Sequence, residues 1–164
     1  VEIAIRASLT GHLVLSTIHT NDSIASVTRL LDMGVEPFLV TSSLNAVIAQ
    51  RLIRRVCRDC GREVEASGRE KEIFAKRGLA IEKVIRGKGC PACNMTGYRG
   101  RIAIHEVLVL DDAMREVIHN GGSSADLREI AMLNKTVFLI DDGLLKVKQG
   151  ITTTEEVLRV ALIE

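Results

Sequence analysis

Apolar and polar positions change their spacing several times along this chain, and each change marks an element. Residues 1–9, VEIAIRASL, carry apolar side chains at helical spacing with no capping residue ahead of them and no Met, so the chain is read as opening inside a domain. That helix is expected to end at Thr10-Gly11. From His12 to Ile18 the pattern becomes a short apolar run, Leu13, Val14, Leu15 and Ile18, which suits a central strand of a covered sheet. Asn21, Asp22 and Ser23 then offer oxygen acceptors to free helix N–H groups, and Ile24, Val27, Leu30 and Leu31 repeat at helical spacing until Gly34. The order strand, polar turn, helix belongs to the α/β class.

After Pro37, the positions Leu39, Val40, Leu44, Val47, Ile48, Leu52, Ile53 and Val56 fit a single long helix with an apolar stripe. Arg51, Arg54 and Arg55 would then lie at its carboxyl end, where cations either stabilise the helix dipole or meet a phosphate or acidic partner. From Gly61 to Gly89 charged residues and glycines dominate, with only scattered apolar positions, as in an inserted module with little core of its own. "TGYRGRIAIHEVLVL" follows as a glycine-rich turn and a strand, Arg101 to Leu110. Three short helices are expected beyond it, starting at Asp111 or Asp112, at Ser123 or Ser124, and at Thr153 with Glu156 as a capping box. The resulting division is 1–56, 57–97 and 98–164, the last part a strand followed by a helical subdomain.

Composition narrows the function classes. Hydrophobic residues make up 46% and charged residues 26% of 164 residues, a globular balance with enough chain for a real core. A net charge of +1 and 2% aromatics give neither the basic excess nor the stacking platforms of a nucleic-acid binder. No apolar run is long enough to cross a bilayer and no secretory signal opens the chain, so a cytoplasmic location without direct membrane insertion is expected.

All four cysteines fall into two pairs, "CRDC" (Cys57, Cys60) and "CPAC" (Cys90, Cys93). A C-x2-C spacing turns two thiolates toward one cation, and two such knuckles complete the tetrahedron Zn2+ accepts. Gly61 eases the tight turn after the first pair. A redox dithiol needs one pair, and structural disulfides are rare in the cytosol. Iron fits the same sulfur cage. A cage of four thiolates has no open position, so its expected role is structural.

The other candidate chemistry lies at "HTND". Ligands of open α/β sheets gather at the carboxyl ends of strands, which would place His19, Thr20 and Asn21 on a ligand edge. The residues alone equally allow His19 to satisfy a neighbouring carbonyl while Asn21 and Asp22 cap the helix. His12 stands at the other end of the run, so it is the weaker candidate. His105 and His119 are read as structural. No H-E-x-x-H helix and no G-x-x-x-x-G-K-[ST] phosphate loop occurs in the sequence.

Taken together, "ASLTGHLVLSTIHTND", "RLLDMGVEPFLVTSSLNAVIAQRL", the paired knuckles, "GCPACNMTGYRGRIAIHEVL" and "DDGLLKVKQGITTTEEVLRV" resemble the carboxyl-terminal ATPase region of the bacterial secretion superfamily. Within it they are most similar to the type II secretion and type IV pilus assembly ATPases, which carry a four-cysteine module that retraction ATPases generally lack. The resemblance implies the carboxyl-terminal part of a RecA-like P-loop ATPase core with an inserted zinc module and a helical carboxyl-terminal subdomain. It further implies ATP and Mg2+ as cofactors, a homo-hexamer on the cytoplasmic face of the inner membrane, and hydrolysis that drives pilin or pseudopilin assembly through a polytopic platform protein. By the same resemblance His12 to His19 is the family's histidine box, with His19 coupled to nucleotide. The family's phosphate loop and acidic motifs lie upstream of the matching segments, so these residues alone are not expected to hydrolyse ATP. The alternative is a non-catalytic, zinc-bearing docking adaptor of the same machinery. The matching segments are shared by type II secretion and type IV pilus systems, with "MGVEPFLVTSSL" leaning toward secretion.

Overall fold

A computed structural model describes residues 1–161, which fall into two compact units, 1–49 with 106–137 and 50–105 with 138 onward. In chain order the elements are α1 (Glu2–Leu9), α2 (Ser23–Asp32), α3 (Pro37–Ser43), β1 (Ala46–Val56), β2 (Gly61–Glu65), α4 (Gly68–Ala75), β3 (Lys83–Gly87), a 3-10 turn (Pro91–Cys93), β4 (Tyr98–Val109), α5 (Asp112–His119), α6 (Ser124–Leu133), α7 (Leu139–Lys148) and α8 (Thr154–Ala161). β1 pairs with β4 and β2 with β3.

In the first unit, local capping sets the helix starts. Asp22 Oδ1 accepts the Ala25 N–H at 2.7 Å, Asp111 Oδ1 accepts the Met114 N–H at 2.9 Å, and Ser123 and Asp126 cap α6 reciprocally. Helix α3 starts on Pro37, whose missing N–H costs nothing in the first turn. The buried faces meet in one core: Ile24 and Val27 from α2, Val40 from α3, Met114 and Ile118 from α5, and Leu127 and Ala131 from α6.

Two expectations fail here. Residues 12–20 form no strand, and Leu13 and Leu15 are 85% and 87% exposed. A central strand needs ladders on both edges, and among the described residues the two strand pairs offer 12–20 none. The long helix over 39–56 is also absent: α3 stops at Ser43 and 46–56 is extended. Apolar residues at 47, 48, 52, 53 and 56 satisfy either period over so short a span, and β-branched Val47, Ile48, Ile53 and Val56 favour the strand. Leu110 N–H donates to Asn45 O and Cys57 N–H to Gly97 O, each at 2.9 Å, which fastens β1 to β4 as an antiparallel pair. Arg51, Arg54 and Arg55 therefore stand along a strand, and the helix-dipole reading falls.

In the second unit, β2 and β3 are antiparallel, with Gly61 opposite Gly87 and Glu65 opposite Lys83. Helix α4 lies between them in sequence and starts on a reciprocal Ser67–Glu70 cap. Phe74, Val84, Ile81 and Ala66 are buried, so this segment has more core than its composition suggests. Among the described residues four helices follow β4 rather than three, the additional one being α7, whose helical pattern Gly143 interrupts. The glycine has a packing reason, since a Cβ there would stand 2.4 Å from Val157 Cγ1 of α8. At the start of α8, Thr153 Oγ1 accepts the Glu156 N–H at 3.3 Å, half of the expected box. The Glu156 carboxylate, 1% exposed, turns instead to the Arg54 backbone N–H (3.0 Å) and to the Arg54 and Arg159 guanidiniums. Arg54 also lies over the Tyr98 ring at 4.3 Å, and Tyr98 Oη shares a hydrogen bond with Thr153 Oγ1 at 2.8 Å.

Candidate metal centre and histidine turn

Each cysteine sits where a strand starts or stops. Cys57 follows β1, Cys60 precedes β2, Cys90 follows β3, and Cys93 ends the 3-10 turn before β4. Backbone hydrogen bonds fold the two knuckles: Gly61 N–H to Cys57 O at 2.8 Å, and Met95 N–H to Cys90 O at 2.9 Å. The knuckles approach so closely that a Cβ on Gly87 would fall 2.1 Å from Gly97 O, and Gly97 itself has φ +78°, so both positions require glycine.

The four Sγ atoms lie within 4.8 Å of one another, with separations of 3.9 Å (Cys57–Cys90), 3.8 Å (Cys60–Cys93) and 3.7 Å (Cys90–Cys93). A tetrahedron with Zn–S arms of about 2.3 Å has edges of about 3.8 Å, so the donor set fits that ion in number, chemistry and spacing. All four thiols are free. Cys57, Cys60 and Cys93 are 1%, 5% and 4% exposed and Cys90 is partly buried, and four sulfurs around one ion would fill a tetrahedral coordination shell.

The thiols are electrostatically unequal. Burial pushes Cys60 up to about 11, and burial together with the Cys93 sulfur raises Cys90. At Cys93 burial acts the same way, but N–H groups of Cys90 (3.2 Å) and Gly97 (3.3 Å) point at the sulfur and bring it down to about 6. Of these three sulfurs Cys93 gives up its proton most readily, and a divalent cation would displace protons from Cys60 and Cys90.

The histidine turn lies in the first unit. His19 is exposed, and His12 Nδ1 pairs with Thr10 Oγ1 at 3.1 Å. Thr20 Oγ1 shares a hydrogen bond with Ser26 Oγ at 2.6 Å. The turn is fastened just beyond Asn21: Asp22 Oδ2 accepts from Arg128 at 3.0 Å, and buried Glu106 accepts from the Ser23 N–H at 3.1 Å and from the Ser23 hydroxyl. Glu106 and Arg128 gave no signal in the sequence beyond being charged residues within amphipathic patterns.

The chain matches the family described as "Type II/IV secretion system protein" over residues 1–159. It belongs to this family. Among type II/IV secretion system proteins, the type II secretion system ATPase E of Vibrio cholerae is 50% identical over 160 residues, covering 97% of this chain and 31% of the relative. The type IV pilus assembly ATPase PilB of Thermus thermophilus is 47% identical over 162 residues, 96% of this chain and 18% of that protein. The chain thus spans a third or less of these relatives' length. The fold is that of the pilus retraction motor PilT, solved with bound ADP: TM-score 0.61 at 22% identity, covering 97% of this chain and 35% of that one. The ATPase DotB of Yersinia pseudotuberculosis gives a TM-score of 0.62 at 16% identity, over 99% of this chain and 34% of the other.

Proposed function

We propose that this chain is the carboxyl-terminal part of an ATP-hydrolysing, hexameric motor that powers pilin or pseudopilin assembly in type II secretion or type IV pilus biogenesis. The supporting observation is 50% identity to a type II secretion ATPase across 97% of the chain. No described helix is long and apolar enough to cross a membrane, in keeping with a cytoplasmic motor peripheral to the inner membrane and acting on a platform protein there.

Zn2+ is the proposed resident of the four-cysteine cage, held by Cys57, Cys60, Cys90 and Cys93 as a structural cross-link. ATP and Mg2+ are proposed for the whole motor. The sequence has no G-x-x-x-x-G-K-[ST] motif, and the only metal-ligand cluster among the described residues is the cysteine cage. His19, with Thr20 and Asn21 beside it and His12 in a lesser role, would therefore add contacts to a nucleotide held mainly by other residues. An exposed imidazole on a turn fastened through Asp22 and Ser23 suits a group that reports on a departing phosphate.

The test is phosphate release from ATP and Mg2+. The 164-residue chain should show none, whereas the longer motor should turn over and lose about tenfold or more on His19→Ala, ~1.4 kcal/mol. Turnover by the isolated chain, or a fully active His19→Ala motor, refutes the respective assignment. A motor with no turnover at all would leave the docking adaptor as the better reading. Metal analysis of the purified chain should return one zinc and no iron.

A further inference from the structure

We propose that the cleft beside the first cysteine knuckle docks an acidic segment of a partner polypeptide. It is a cavity of about 270 Å3 lined by Arg55, Val56, Arg58, Asp59 and Arg99, all in the second unit. Three guanidiniums face one carboxylate, although the whole chain carries a net charge of only +1. The excess is local.

The state of those cations carries the argument. Elsewhere in this unit Arg54, Arg77, Arg86 and Arg159 each have a carboxylate partner within 3.1 Å, and among the described residues Arg62, Arg69 and Arg101 have no ion pair but line no shared cleft with these cations. Among the described residues the Arg55 and Arg58 guanidiniums form neither an ion pair nor a side-chain hydrogen bond, unlike Arg54, Arg77, Arg86 and Arg159. Arg99 reaches Asp59 at 3.6 Å, well beyond the 2.7–2.9 Å typical of a charge-assisted bond. Both of its ends are exposed, at 66% and 58%. Such a pair is weak and easily exchanged.

Asp59 therefore acts as a resident, loosely held anion, and its chemistry identifies the ligand: a carboxylate that takes its place on Arg99 while neighbouring carboxylates reach Arg55 and Arg58. The cleft is carried on firm backbone. Val56 N–H donates to Ile151 O at 2.8 Å, Cys57 N–H to Gly97 O at 2.9 Å, and the four-residue knuckle holds Arg58 and Asp59. Guanidinium forks on fixed backbone lose little freedom on engaging carboxylates. Successive acidic residues of an extended peptide can thus be read together.

The experiment uses the metal-replete 164-residue chain and a fluorescein-labelled Asp-Glu-Asp-Glu-Asp-Glu peptide, with binding followed by anisotropy at low salt. The neutral Asn-Gln counterpart should not bind. Arg55→Ala combined with Arg58→Ala should weaken the acidic peptide about tenfold, and Asp59→Asn should tighten it about threefold by freeing Arg99. Arg69→Ala, on α4 and away from the cleft, should stay within about twofold. Equal circular dichroism and metal content establish that the variants are folded. Unchanged affinity in the double variant, or no gain in Asp59→Asn, overturns the proposal. Inorganic pyrophosphate displacing the peptide at lower concentration than unlabelled peptide does also overturns it, because the cleft would then be built for phosphate.

Discussion

Glu156→Gln keeps the shape of a buried side chain and removes its charge, which makes it a direct probe of the Arg54–Glu156–Arg159 group. Burial alone would raise this carboxyl. The two guanidiniums and the Arg54 N–H outweigh burial and hold it at about 2, against an ordinary 4.5. At ~1.36 kcal/mol per pK unit, that fall corresponds to about 3 kcal/mol of stability at neutral pH. Arg54 and Arg159 are 46% and 58% exposed, so solvent screening trims the figure toward ~2 kcal/mol. Because the folded-state value is depressed, the contribution is complete above about 4.5 and is lost as pH falls toward about 2. Thermal unfolding of the native chain and the Gln variant should differ by roughly 4–12 °C at neutral pH for a chain of this size. The difference should close as pH drops through that window. Taking the difference between the two proteins cancels the acid titration of the thiolates, which both share. A gap under about 2 °C at pH 7, or one that stays constant down to acid pH, would show that the carboxylate is not stabilised as the geometry implies.

Three further outcomes test other parts of the structure. Cys57→Ser or Cys90→Ser should each release the metal and unfold the knuckles, as should a strong chelator; full metal content in both variants would refute the four-thiolate cage. Gly143→Ala forces a methyl into Val157 and should cost about 1–3 kcal/mol in urea unfolding, with Val157→Ala restoring part of it. Asp22→Ala removes both the α2 cap and the Arg128 partner and should destabilise the first unit by about 1 kcal/mol, with amide exchange rising first at Ala25.

What could be read from the sequence was what is decided locally. The starts of α2, α5 and α6 follow from Asp22, Asp111 and Ser123, whose side chains bond N–H groups three residues on. The cysteine cage is legible for the same reason: each knuckle is four residues long, and only the pairing of the two is distant. Strand β1 was read as a helix because its apolar residues fit both periods, and only the ladder to β4 decides between them. The groups that fasten the sites are pairs such as Ser23 with Glu106, 83 residues apart, and Arg54 with Glu156, 102 apart. Nothing in a charged residue's immediate neighbours announces a partner at that distance. Residues 12–18 fail differently. Their apolar pattern suits a strand, but among the described residues no ladder reaches them and Leu13 and Leu15 stay exposed.

The bond between Cys57 N–H and Gly97 O, 2.9 Å long, has an evolutionary reading. The chain leaves β1 and re-enters β4 at one point, so β1 and β4 form a hairpin whose turn has swollen into a cassette of hairpin, helix and knuckles, with Arg77 reaching out of it to Asp141. A cassette with coincident entry and exit can be gained or lost at the cost of a few side-chain contacts, such as Arg77–Asp141, while the strands that carry it stay paired. Excising 58–96 and closing the gap with a tight two-residue turn should leave the host ladder in register, and the same economy would let related chains differ by a whole metal-binding part while keeping one scaffold.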